Sequence, residues 1–100
     1  MTVRHVVTWR LAETDPKVKA EQVERVRAGL ESLPAVVADI RSLQVGVNGV
    51  GADDNWDVVL IADYDDEEGL RRYVEHPEHQ KVAAYIRSVV SERAGIDFVV

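Results

Sequence analysis

Cysteine is absent from the 100 residues. This absence excludes disulfide bridges, thiolate nucleophiles and cysteine-ligated zinc or iron-sulfur sites. Basic residues are also scarce, because 12 Lys and Arg stand against 18 Asp and Glu and leave a net charge of -6. Such a chain repels phosphate backbones and anionic lipid surfaces, so nucleic acid is a poor candidate partner.

Long apolar runs are missing as well. The longest reach only five residues, at 58–62 and 82–86, far below the roughly 20 that span a bilayer. The first residues are interrupted by charges and lack the cleavage pattern of a signal peptide. We therefore expect a cytoplasmic protein without a membrane span, folded as one domain over residues 1–100.

The first half of the chain predicts two strands around a helix. Asp15 followed by Pro16 is typical of a helix start. The apolar stripe of this helix includes Val18 and continues to Leu33, where Pro34 ends it. Three segments alternate apolar and polar residues with the period of a strand, and they are 3–11, 40–48 and 56–64.

The second half predicts a broken helix and a final strand. Asp65 opens a capping-box pattern for a short helix that must stop before Pro77. Pro77 then begins a third helix, whose apolar spacing extends past Val90 and for which Gly95 is a plausible C-terminal stop. The last strand is predicted at 96–100.

This order of elements predicts an α+β fold, a ferredoxin-like βαββαβ sandwich with a four-stranded antiparallel sheet. Helices cover one face of such a sheet, yet Val6, Val59 and Ile61 make the other face apolar too. Hiding roughly 500 Å² on each of two subunits would gain about 25 kcal/mol gross, against an association cost of about 4 to 15 kcal/mol. We expect an isologous homodimer through the sheets, the alternative being scattered surface valines that need no partner.

The three histidines are the most informative residues, and two of them are expected to point inward. His5 lies on the strand face that we expect to meet the helices, and His79 lies on the apolar stripe of the third helix. Tyr73 lies on the apolar side of the preceding helix, so the three side chains can converge under one end of the sheet. The apolar residues on the same two faces are Val7 and Trp9 of the strand, and Val82, Ala83 and Ile86 of the helix.

His5, Tyr73 and His79 together predict a site in which a histidine acts as a general base. A buried His79 would lose its proton readily and serve as a base, while Tyr73 could orient it or donate to a developing oxyanion. Such a pair suits proton abstraction next to a carbonyl, the step that begins an aldol cyclisation or an isomerisation. The alternative is a satisfied polar cluster with a purely structural role.

Metal and cofactor sites are not expected. His76 and His79 form an H-x-x-H, but Pro77 breaks the helix between them and further ligands are missing. We expect His76 to cap a helix. Carboxylates such as Asp53 and Asp57 could hold a hard cation, but turn and cap chemistry explains them with fewer assumptions.

The sequence resembles the stress-responsive A/B barrel domain family, called Dabb, over nearly the whole chain. The matching pieces are Val3-Arg4-His5-Val6-Val7, Leu33-Pro34, Ile40-Arg41-Ser42, Tyr73 with His76-Pro77-Glu78-His79, and Ile96-Asp97-Phe98. The resemblance implies a ferredoxin-like subunit that pairs sheet to sheet into a dimeric α+β barrel. A few plant members are cofactor-free polyketide cyclases, and the resemblance places their catalytic histidine at His79 and other pocket positions at His5 and Tyr73.

The chain departs from the cyclase-type members at two pocket positions. Val26 stands where their first long helix carries a tyrosine, and Trp9 is bulkier than the expected aliphatic residue. We therefore expect a narrower pocket. The predicted substrate-binding residues are Val7, Trp9, Val26, Val82, Ala83 and Ile86.

Three functions follow from these observations. The first is a homodimer that binds a small, mostly apolar organic molecule between sheet and helices, with cofactor-free cyclase or isomerase activity through a histidine base. The second is a non-catalytic stress-response or assembly protein, and the third is a cofactor-free monooxygenase of the wider dimeric-barrel superfamily. A cavity of roughly 300 Å³ or more near His79 would favour ligand binding, whereas a filled core would favour the structural role.

Overall fold

The computed structural model describes residues 1–50 and 54–100. The elements are β1 (Val3–Leu11), α1 (Pro16–Glu31), a 3₁₀ turn (Leu33–Ala35), β2 (Ser42–Val47), β3 (Val58–Tyr64), α2 (Glu67–Glu75), α3 (Pro77–Val89) and β4 (Val90–Val99). The four strands form one antiparallel sheet in the order β2-β3-β1-β4, which is the predicted βαββαβ topology.

The two central strands separate a buried face from a half-exposed one. Along β1 and β3 every second residue is buried, as the period of two predicts. His5 is the one buried polar residue on this helix-facing side among the residues described. The core packed between this face and the helices includes Val7, Trp9, Leu11, Val23, Val26, Leu30, Leu33, Leu60, Ala62, Tyr64, Tyr73 and Ile86.

The start of α1 follows the predicted capping chemistry. The Asp15 carboxylate accepts hydrogen bonds from the backbone N–H groups of Lys17 and Val18, and Pro16 is the first helical residue. Val18 itself is exposed, contrary to its predicted place on the packing stripe, because burial on α1 begins one turn later at Val23.

A side chain caps the N-terminus of each of the two later helices, α2 and α3. Asp66, not the predicted Asp65, caps α2, because its carboxylate accepts from the Gly69 N–H at 2.8 Å. Asp65 is instead free to pair with Arg41. His76 caps α3 as expected, with Nδ1 accepting from the Glu78 N–H at 3.1 Å.

β4 is much longer than predicted. It begins at Val90 directly after the last residue of α3 and pairs with β1 from Leu11 to Val3. The predicted helical continuation past Val90 and the stop at Gly95 are therefore wrong. The nine-residue β1 pairs with β4 along its whole length, with one irregularity between Arg10 and Leu11, and this tertiary pairing overrides the local helical spacing.

The second face of the sheet carries an apolar patch that is open in the single chain. The pairing of Val6 with Ile96 and with Ile61 places all three side chains on this face. Ile96 and Phe98 are 68% and 45% exposed, and Val6 and Ile61 are half-exposed. We call this the open face.

Across the described ranges, no helix has both the length and the apolar character needed to cross a bilayer.

Candidate functional site

A cavity of about 240 Å³ lies between the helix-facing side of the sheet and helices α2 and α3. It contains every site residue that the sequence predicts except Val26. The predicted lining residues are His5, Val7, Trp9, Tyr73, His79, Val82, Ala83 and Ile86. The lining residues that sequence reasoning missed are Leu30, Leu60, Val74, Gln80, Arg87 and Arg93.

His79 is held in one tautomer. Its Nδ1 lies 2.9 Å from the Val74 carbonyl oxygen, and because a carbonyl can only accept, Nδ1 carries the proton. In the neutral ring the lone pair is then on Nε2, for which the described residues supply no hydrogen-bond partner. The ring also packs on Tyr73 with 4.3 Å between centroids, so its orientation is fixed from two sides.

The surroundings of His79 favour its neutral form. Burial lowers its pKa, and the charges of Arg87 and Arg93 act in the same direction, as does His5. The hydrogen bond to the Val74 carbonyl opposes this shift but does not reverse it. At neutral pH, His79 is therefore a neutral imidazole, protonated at Nδ1 only, on the wall of a mostly apolar cavity.

This shift predicts a pH dependence of stability. As pH falls through the window between the ordinary pKa of 6.5 and the lower pKa in the folded chain, the unfolded imidazole binds a proton that the native one does not. The free energy of unfolding therefore decreases as pH falls through this window and is restored as pH rises. Urea unfolding of wild type and His79→Gln at several pH values tests this, since the variant lacks this contribution. An NMR titration that gives His79 a pKa at or above 6.5 would contradict the expectation.

Tyr73 contacts His79 through its ring rather than its hydroxyl. Burial raises the pKa of Tyr73 to about 12, so the phenol keeps its proton. The hydroxyl is buried close to that of Tyr64, and neither makes a well-aligned hydrogen bond within the described part of the chain. This geometry favours orientation of His79 as the role of Tyr73, because donation to an oxyanion would require the hydroxyl to turn towards the cavity.

His5 has a partner that sequence reasoning missed. Its Nδ1 lies 2.5 Å from the Asp97 carboxylate, and since the carboxylate accepts, Nδ1 donates and the tautomer of a neutral His5 is fixed. Asp97 is opposite His5 in the ladder between β1 and β4. The register of an antiparallel pairing between the first and last strands would have identified it.

Val26 does not line the cavity. It is 1% exposed and packs in the core, whereas Leu30, one turn further along α1, reaches the cavity wall. Trp9 lies against the cavity with 6% of its surface exposed. The cavity volume is smaller than the roughly 300 Å³ expected of a ligand-binding site. This agrees with the prediction of a narrower pocket.

A second, larger groove of about 630 Å³ lies between α1 and β2. Its charged groups are satisfied internally, because Lys19 pairs with Asp57 at 2.9 Å and Arg27 pairs with Glu24. It therefore offers less free polar chemistry than the smaller cavity.

Asp57, in the loop before β3, has structural partners. Besides its pair with Lys19, the Asp57 carboxylate accepts from the Leu11 N–H, while Asp53 lies outside the described residues. Over residues 1–50 and 54–100, no three His, Asp or Glu side chains come together as metal ligands do.

Comparison with known proteins agrees with this geometry. The fold and the cavity define a ferredoxin-like domain with a histidine-lined pocket between sheet and helices. The family model described as Stress responsive A/B Barrel Domain, Dabb, matches residues 3–100, and the chain belongs to this family. No curated protein matches the chain.

Solved structures extend the comparison. A dimeric protein of unknown function with a ferredoxin-like fold from Bacteroides fragilis is 26% identical, with a TM-score of 0.89 over 97% of this chain and 94% of that chain. A dimeric ferredoxin-like protein of unknown function from Thermobifida fusca is 31% identical, with a TM-score of 0.85 over 100% of this chain and 92% of that chain. Hydroxynitrile lyase from Passiflora edulis is 12% identical and shares the fold, with a TM-score of 0.80 over 99% of this chain and 93% of that chain.

Proposed function

We propose that this chain forms a homodimer and that each subunit binds a small, mostly apolar carbonyl compound, from which His79 removes a proton. The fixed tautomer of His79 carries the catalytic part of the proposal. Its Nδ1 donates to the Val74 carbonyl, Nε2 has no hydrogen-bond partner among the described residues, and the ring lines the cavity. Because the pKa of His79 is lowered, the imidazole is neutral at neutral pH and able to act as a base.

The open face supports the dimer. It presents apolar side chains from β1, β3 and β4, of which Ile96 and Phe98 are the most exposed. The similar proteins from Bacteroides fragilis and Thermobifida fusca are dimeric. Pairing two open faces about a two-fold axis removes this surface from water.

The proposed reaction is a proton transfer without a co-reactant. Nε2 of His79 takes a proton from the carbon beside the carbonyl, and the C–H electron pair forms the double bond of an enolate as the carbonyl π pair moves to oxygen. In a cyclisation the enolate carbon then attacks a second carbonyl of the same molecule, whose π pair moves to its oxygen, and that oxygen takes the proton back from Nε2. In an isomerisation Nε2 returns the proton to another carbon of the ligand. Tyr73 positions the base, and His5 supplies a second polar contact. The lyase from Passiflora edulis supports enzymatic use of this fold only as a structural analogy.

A non-catalytic role is the alternative, and the size of the cavity favours it. At about 240 Å³ the cavity is below the usual range for a ligand site. In that role the stacked His79 and Tyr73 rings would serve packing alone.

The decisive experiment is a two-stage test of His79. A thermal-shift screen of small apolar ketones, including 2-pentanone, first finds compounds that stabilise wild type more than His79→Ala. NMR in D₂O then measures exchange of the hydrogens beside the carbonyl. We expect His79→Ala to slow the catalysed exchange by about 100-fold or more.

His76→Ala is the matched control, because His76 caps α3 outside the cavity. It should retain exchange after allowance for about 1 kcal/mol of lost stability from the cap. If wild type and His79→Ala exchange equally, His79 is not the base. If no compound stabilises wild type selectively, the non-catalytic role is supported.

A further inference from the structure

The cavity is lined by positive charge without any acidic residue. Arg87 of α3 and Arg93 of β4 belong to its wall, and no carboxylate of the described residues does. This is notable in a chain of net charge -6, where acidic side chains are available to pair with most basic ones.

Arg87 and Arg93 differ from the other arginines of the chain. Arg25 lies over the Tyr85 ring at 3.9 Å, whereas Arg87 and Arg93 form no ion pair with any residue that the structure describes. The arginines that do form ion pairs are Arg4, Arg10, Arg27, Arg41, Arg71 and Arg72.

Gly95 explains where the Arg93 guanidinium lies. Residues 93 and 95 both face the helices, since they pair with Trp9 and Val7 of β1. A Cβ atom at residue 95 would lie only 3.2 Å from Nη1 of Arg93. The missing side chain therefore lets the guanidinium lie along β4, on the side that faces the cavity.

From these observations, and given the proposed function, we infer that the ligand is a small apolar molecule that carries one carboxylate, bound by Arg93 and Arg87 where the cavity opens to solvent. The planar guanidinium matches a carboxylate with two parallel hydrogen bonds. The apolar part of the ligand would lie against Val82 and Ile86, with its carbonyl near His79. Both cations line the same cavity as His79, and their charges contribute to lowering its pKa.

Paired acids and neutral analogues test this inference. The probes are 4-oxopentanoate with its methyl ester and phenylacetate with phenylacetamide, each titrated into ¹⁵N-labelled protein while amide shifts are followed. We expect wild type to bind each acid at least about tenfold tighter than its neutral analogue, as a charge-assisted hydrogen bond allows. Added salt should weaken the acids but not the neutral compounds.

Arg93→Gln should reduce acid binding to the level of the neutral analogue and leave the analogue unchanged, while Arg25→Gln should alter neither. If the double variant Arg87→Gln with Arg93→Gln keeps the preference for acids, the inference is wrong. It is also wrong if wild type binds acids no tighter than their analogues, or binds no acid at all. In either case, exchange of 2-pentanone that depends on His79 would still uphold the proposed function, so the two can fail separately.

Discussion

Changing Ile96 to aspartate is expected to yield a folded monomer at micromolar concentration. Ile96 is 68% exposed in the single chain, so the substitution costs the subunit little. In the proposed dimer each subunit would bury the new carboxylate at the sheet-to-sheet contact, and burying an unpaired charge costs several kcal/mol. Because the contact is two-fold symmetric, the penalty is incurred twice.

Sedimentation velocity measures this change directly, and circular dichroism shows whether the fold is kept. Val36→Asp is the matched control, because Val36 is 53% exposed but lies in the loop after the 3₁₀ turn, away from the open face. Wild type and Val36→Asp should both sediment as dimers. A monomeric wild type, or a dimeric Ile96→Asp, would contradict the dimer through the open face.

Replacing Leu60 by alanine is expected to destabilise the protein by about 2 to 5 kcal/mol. Leu60 is 1% exposed on β3 and contributes both to the core and to the cavity wall. Its truncation removes buried apolar atoms and enlarges the existing cavity, and neighbouring side chains on a sheet cannot fully collapse into the space.

Thermal or urea unfolding at a fixed protein concentration measures the loss, since the proposed dimerisation would make stability depend on concentration. Each kcal/mol should lower the Tm by about 4 to 8 °C for a domain of this size. Val36→Ala, at an exposed position, should stay within about 0.5 kcal/mol of wild type. A loss below about 1 kcal/mol for Leu60→Ala would mean that this part of the core is not closely packed.

The sequence is most informative where local chemistry and tertiary packing agree. The alternation in β1 and the Asp15-Pro16 start of α1 are both found as predicted. The boundary between α3 and β4 is misplaced because helical spacing around Val90 competes with pairing to β1, and only the folded sheet decides between them. A local pattern carries no information about a partner about 80 residues away.

Some residues of the candidate site can likewise be predicted from the sequence, and others cannot. His5, Tyr73 and His79 could be predicted because each shares a face with apolar residues at strand or helix spacing. Arg93 could not, since its place depends on the register of β4 and on the space beside Gly95. Asp97 was missed for the same reason, because its role exists only through its contact with His5.

The pairing of β1 with β4 also determines when the site can assemble. Its ladder joins Val3 to Val99 and His5 to Asp97, so the sheet wall of the cavity combines residues that are far apart in the sequence, such as His5 and Arg93. Closing so long a loop is entropically expensive and slows folding. The cavity wall to which Arg93 belongs is therefore complete only after β4 has been synthesised and has paired with β1, and a ligand of the proposed kind would bind only to chains in which this pairing has formed.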